Sequence, residues 1–152
     1  MKIKKLSAEE QRHLRESAKV ELMRLEALFQ NVEVTELLDR FKNRFNQCET
    51  VYKVILAEHQ KHKGQKNGGH LKVNMTQVPH ALSFAGYSFN KDELNELFGS
   101  SGKKGTTVKK LRDAVTHGID TKAVNEITTR EEELFGYMDA FLAVIRTFDN
   151  VA

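Results

Sequence analysis

Between Leu38 and Ile55 the residues Leu38, Phe41, Phe45, Cys48, Tyr52 and Ile55 fall at alternating steps of three and four. That is the period of an α-helix, close to a heptad. A seam of this kind packs along a neighbouring helix at a shallow angle. The helix that carries it starts near Val34–Glu36 and runs to Lys61, His62 and Lys63, whose charge suits a last turn. Gly64 supplies its C-terminal cap. Cys48 lies inside the seam and reads as a small buried apolar residue, not as a nucleophile.

Other helices follow from caps and stripes. Ser7 and Glu10 form an S-x-x-E capping box. Leu14, Ala18, Leu22, Leu25 and Phe29 then mark one face, which predicts a helix ending near residue 30. Asn90 and Glu93 announce a short helix over 91–98, stopped by Gly99. Thr107 caps a helix from Val108 to about His117, with Gly118 as its stop. The cap pair Thr129 and Glu132 opens the last helix, whose stripe is Leu134, Met138, Phe141, Ile145 and Phe148. Glu131, Glu132 and Glu133 sit in its first turn, where negative charge favours the macrodipole. Between these lie a long surface loop over 64–80, a helical turn from His80 to Ala85, and a connector from Ile119 to Thr128. Val73 to Val78 suits a short extended piece.

Length and composition agree with a helical bundle. The chain has 152 residues, with nine Gly and one Pro, too few for a loop-rich β sandwich. That length fits one domain over 1–152. A single cysteine excludes an intramolecular disulfide and any multi-cysteine zinc site. No apolar run reaches the roughly 18 residues of a membrane span, and Met1 is not followed by a secretory signal. The expectation is a cytoplasmic protein without a membrane partner.

Charge is unevenly spread. Residues 1–62 carry 12 basic against 10 acidic side chains, 63–112 carry 9 against 3, and 113–152 carry 3 against 8. A basic middle beside an acidic end suits a phosphate backbone as partner, and equally suits solvated helix faces of opposite bias.

Three groups of residues invite a chemical reading. The first is the glycine-rich linker Gly99-Ser100-Ser101-Gly102-Lys103-Lys104-Gly105-Thr106-Thr107. It fails the G-x-x-x-x-G-K-[ST] phosphate-loop pattern, because Gly99 and Gly105 are one residue too far apart and Thr follows Gly105. It reads as a flexible connector whose backbone N–H groups, with Lys103, Lys104, Lys109 and Lys110, are placed to contact phosphates. The second is His59, His62, His70 and His80, which lack the carboxylate or cysteine partners of a metal site and read as surface histidines. No metal is expected.

The third group is Leu111-Arg112-Asp113-Ala114-Val115-Thr116-His117-Gly118. Val108, Leu111 and Val115 form the buried seam of its helix. Arg112 and His117 are about 140° apart at 100° per residue, so they flank one groove without touching. Asp113 stands four residues before His117, where a carboxylate can orient an imidazole. The set combines a planar phosphate binder with a group that titrates near neutral pH. Those are the tools for cutting RNA without a metal. The same spacing also suits a surface Arg–Asp pair and a capping histidine.

This stretch resembles the R-x(4–6)-H signature of HEPN domains, with Asp113 matching the polar residue that often follows the arginine. In that family the signature lies in the penultimate helix of a small helical bundle. Here two long helices precede it and one follows. The resemblance implies an all-α, up-down bundle of four main helices, with a long insertion of loop and short helix over about 64–107. It implies a metal-independent endoribonuclease without cofactor, in which Arg112 stabilises phosphate charge, His117 moves protons and Asp113 supports them. It implies RNA as substrate, a homodimer with a composite cleft, a cognate inhibitor protein, and a setting in toxin–antitoxin or phage-defence systems. The alternative is a non-catalytic helical module that binds RNA, a nucleotide or a protein.

Overall fold

A computed structural model describes residues 5–29, 36–64, 71–117 and 120–149. They form α1 (Ala8–Phe29), α2 (Leu37–His62), α3 (Val78–Phe84), α4 (Lys91–Phe98), α5 (Val108–Thr116), α6 (Thr121–Thr129) and α7 (Glu131–Thr147). There is no strand among the described residues. The all-α expectation holds: the described residues carry seven helices, among them the four main ones and the short one expected.

The local signals explain most of these boundaries. The Ser7–Glu10 box is reciprocal: the Ser7 N–H donates to Glu10 Oε1 (3.0 Å), and the Glu10 N–H donates to Ser7 Oγ (3.1 Å). The two bonds satisfy donors that a helix start leaves open. Leu14, Ala18 and Leu22 on α1 are buried, and Leu25 packs against them half-buried. Asn90 caps α4 by accepting from the Glu93 N–H (3.1 Å).

Helix α2 has 26 residues, about 39 Å at 1.5 Å per residue. It contacts α1, α3, α5, α6 and α7. Its seam residues from Phe41 to Ile55 are buried, with Leu38 half-buried. Val51 and Leu56 are buried as well, which widens the seam because α2 has neighbours on several sides. Cys48 is fully buried, and burial pushes its thiol pKa up, so it is a core residue and no nucleophile. Helix α7 completes the centre, touching α1, α2, α4 and α6. No helix among the described residues is long and apolar enough to cross a membrane.

Three expectations need correction. The connector Ile119–Thr128 is largely helix: Asp120 caps α6 by accepting from the Ala123 N–H (3.1 Å). Ala123 and Ile127, one turn apart, are its buried residues. Thr129 therefore does not cap α7. It ends α6, its hydroxyl donating back to the Asn125 carbonyl (2.8 Å), and only Arg130 separates the two helices. The extended piece over Val73–Val78 is instead a turn feeding α3. Asn74 Oδ1 accepts from the Thr76 N–H (3.0 Å), and the Asn74 carbonyl accepts from the Gln77 N–H (2.8 Å). Pro79 fits the first turn of α3, where a missing N–H costs nothing. Part of the expected loop over 64–80, residues 65–70, lies outside the described residues, as do Gly118 and Ile119. The stretch 64–107 brings Ala81, Leu82, Leu97 and Phe98 into the core.

His59 is not the surface histidine expected: it closes the C-terminal end of the α2 core at 2% exposure. Burial first, then the charges of Lys63, His80 and His62, push its imidazole pKa down from 6.5 to about 4. A histidine held neutral in this way adds stability that is complete above its unfolded pKa. That stability drains away as pH falls from about 6.5 to about 4, because the unfolded chain binds the proton more readily. Urea unfolding at pH 7 and pH 4.5 is expected to show a loss about 2 kcal/mol larger for the wild type than for His59→Leu. Equal losses would assign the acid sensitivity to carboxylates alone.

Candidate active site

Helix α5 is fixed at both ends of its first turn. The Thr107 hydroxyl donates to the Gly99 carbonyl (2.7 Å), and its oxygen accepts from the Lys110 N–H (3.3 Å). Val108 and Leu111 are buried and Val115 is half-buried against the core, as the seam required. That orientation turns Arg112 onto α2.

Arg112 is held on three sides. Its Nη2 donates to Glu49 Oε2 (3.0 Å), its Nη1 to Asn46 Oδ1 (3.1 Å) and its Nε to Asp113 Oδ1 (3.0 Å). The guanidinium carbon also lies 4.6 Å from the centroid of the Phe45 ring, a cation–π contact that only a planar cation makes well. The Arg112 and Glu49 side chains are 17% and 18% exposed, Asp113 39%. Glu49 therefore anchors the buried edge of the fork, and Asp113 covers the edge that solvent reaches. Lys53 stands 3.7 Å from Glu49 on the next turn of α2.

His117 is the C-cap of α5 and is exposed. Its backbone N–H donates to the Asp113 carbonyl (3.3 Å). Its imidazole makes no hydrogen bond or ion pair among the described residues. The Asp113 carboxylate thus orients Arg112, and no bond joins it to His117. Sequence reasoning found Arg112, Asp113 and His117 but missed Glu49, Asn46 and the Phe45 platform. A charged residue one turn beyond Phe45, at the edge of an apolar seam, was the available signal.

The basic residues divide into two groups. Lys109 Nζ donates to the Val73 carbonyl (3.2 Å), tying α5 to the approach to α3. Lys103 lies 3.5 Å from Asp92 in an exposed pair, which contributes little. Lys104 and Lys110 are exposed and make no ion pair among the described residues.

The glycine-rich linker is not the flexible connector expected. The Lys103 N–H donates to Glu96 Oε1 (2.8 Å), and Asn95 Nδ2 donates to the Ser101 carbonyl (3.0 Å). The Thr106 N–H and hydroxyl donate to the two oxygens of Glu126, each at 2.9 Å. Arg130 bridges Glu126 and Glu133 and donates to the Thr106 carbonyl (2.8 Å). Burial alone would raise the Glu126 pKa, but the Thr106 bonds and Arg130 hold it below the ordinary carboxylate range. The N–H groups of Lys103 and Thr106, offered to phosphate by the sequence, are occupied by the chain's own carboxylates. Gly105 adopts a φ of +140°, which only glycine takes readily.

Gly102 has no room for a side chain. A Cβ there would overlap the Gly105 carbonyl oxygen and sit 2.8 Å from Glu96 Oε2. Gly102→Ala is expected to cost about 2 kcal/mol and to lower the melting temperature by roughly 4–8 °C. An unchanged melting temperature would mean that the linker moves freely.

Among the described residues no three His, Cys, Asp or Glu side chains converge to hold a metal ion. The chain matches no protein-family model, no curated protein and no solved structure.

Proposed function

We propose that the chain is a metal-independent endoribonuclease of the HEPN type, acting at the Arg112–His117 end of α5. The observation that carries the reading is His117: an exposed imidazole without a side-chain partner among the described residues, on the same short helix as a guanidinium anchored from below. A neutral imidazole takes the proton of an RNA 2′-hydroxyl as its oxygen attacks phosphorus. The P–O5′ bond breaks, and a protonated imidazole returns a proton to the departing 5′-oxygen. The products are a 2′,3′-cyclic phosphate and a 5′-hydroxyl. Arg112 steadies the charge on the phosphorane through the edge now covered by Asp113. By resemblance, two chains pair to bring two such ends into one cleft, a cognate protein restrains the dimer, and the setting is toxin–antitoxin or phage defence.

One observation favours a second reading, a non-catalytic RNA-, nucleotide- or protein-binding module. All three nitrogens of Arg112 already have acceptors, as suits a residue that fastens α5 to α2. The test is cleavage of total RNA and tRNA in EDTA by wild type and His117→Ala. Cleavage by the wild type alone supports the nuclease. Undiminished cleavage by the variant overturns the mechanism. Binding without cleavage that weakens steeply with salt, and that falls when Lys103, Lys104, Lys109 and Lys110 become Ala, supports the module.

A further inference from the structure

The seam of α2 continues its alternation for one step beyond Ile55, and that step lands on His59. An apolar residue would satisfy the fold there. The chain instead buries an imidazole to 2% exposure, with its Nδ1 lacking any hydrogen-bond partner among the described residues. A buried polar atom left open is costly to the fold, and each such vacancy calls for an explanation.

His59 borders a cleft of about 440 Å³ between the start of α1, the end of α2 and α3. That volume falls within the roughly 300–1,000 Å³ of small-molecule sites. Its wall divides by chemistry. The Phe84 ring, half-buried and 4.9 Å from the His59 ring, gives a flat apolar surface, with Leu6 beside it. Lys5, exposed, brings a positive charge, His80, also exposed, brings a ring nitrogen, and the Ser83 hydroxyl lies at the rim. Among the described residues no carboxylate lines this cleft, whereas the adjoining one beyond Leu6 is bordered by Glu10 and Glu58. Lys63, the C-cap of α2, adds to the positive field around His59.

We propose that this cleft is a binding site for a small organic anion with a planar apolar body. The body lies against Phe84 and Leu6, its carboxylate or phosphate faces Lys5 and His80, and the edge of the His59 ring that meets the cleft supplies a hydrogen bond. The site is independent of the Arg112–His117 reading. His59 is ten residues beyond Glu49 on α2, about 15 Å along the helix.

The experiment is calorimetric titration of the full chain at pH 7 with phenyl phosphate, benzoate, inorganic phosphate and benzyl alcohol. Saturable one-to-one binding of phenyl phosphate or benzoate is expected, at least about tenfold tighter than inorganic phosphate or benzyl alcohol. The stronger of the two anions then decides between a phosphate and a carboxylate head. His59→Leu, which suits the seam, is expected to weaken binding about tenfold, the worth of one good hydrogen bond. Ser83→Phe, at the exposed rim, is expected to block the cleft without touching the core. Binding of none of the four probes, equal binding of inorganic phosphate alone, or unchanged affinity in both variants would each overturn the proposal. Failure of RNA cleavage leaves these outcomes unaffected.

Discussion

His117→Ala is expected to reduce RNA cleavage by at least about a hundredfold while leaving the fold intact. Loss of a positioned general acid or base typically removes a factor of 10²–10⁴. The imidazole is exposed and bonded to no other side chain among the described residues, so its removal costs stability no more than about 0.5 kcal/mol. The helix cap survives, because the bond to Asp113 comes from the backbone N–H. Activity, melting temperature and gel-filtration mass of one preparation check the three parts together. A variant that loses activity and melting temperature together would move His117 from chemistry to structure. Arg112→Ala is expected to differ in kind: it leaves Glu49 without its main cation and uncovers Phe45, so activity and stability fall together.

Phe98→Ala has the largest expected effect on stability. The ring is 1% exposed and stands among three others, with centroids 6.0 Å from Phe45, 5.4 Å from Tyr52 and 5.3 Å from Phe141. It thereby joins α4 to α2 and α7. Truncation opens a cavity that none of these helices can close alone, at a cost of about 3–5 kcal/mol. For a chain of this length that lowers the melting temperature by roughly 6–20 °C. Denaturant unfolding monitored by far-UV circular dichroism checks it. The loss also reaches the candidate active site, because Phe45 supports the Arg112 guanidinium from below. A fall of less than 1 kcal/mol would mean that α4 is loosely attached.

The helices legible in the sequence are those with a strong cap or a long stripe. α1 had its capping box, α2 its seam, α5 its Thr107 cap, and α7 an apolar face from Leu134 to Ile145. α6 was hidden because nine residues carry only two buried side chains, and four of the other seven are Thr or Asn. Its cap, Asp120, has no Glu or Gln three residues on to announce it. The candidate site was half legible for the same physical reason. Arg112, Asp113 and His117 share one helix, so spacing brings them together. Glu49 lies 63 residues away from Arg112, and only tertiary packing makes them neighbours. The glycine-rich linker misled for the converse reason. Its composition speaks of freedom, but its N–H groups are taken by Glu96 and Glu126, which no local pattern connects to it.

The Arg15–Asp149 pair has a consequence in time. Arg15 donates through Nε and Nη2 to Asp149 and through Nη1 to the Ala85 carbonyl, and its guanidinium covers the Phe148 ring at 4.8 Å. The two residues are separated by 134 positions. At about 5–20 residues per second of synthesis, Asp149 leaves the ribosome roughly 7–27 seconds after Arg15. The α1–α2 pair, successive helices that touch, is free to form in that interval. The flank of α1 that later receives Asp149 stays wet during that interval. Helix α1 thus receives part of its polar cover from residues made long after it.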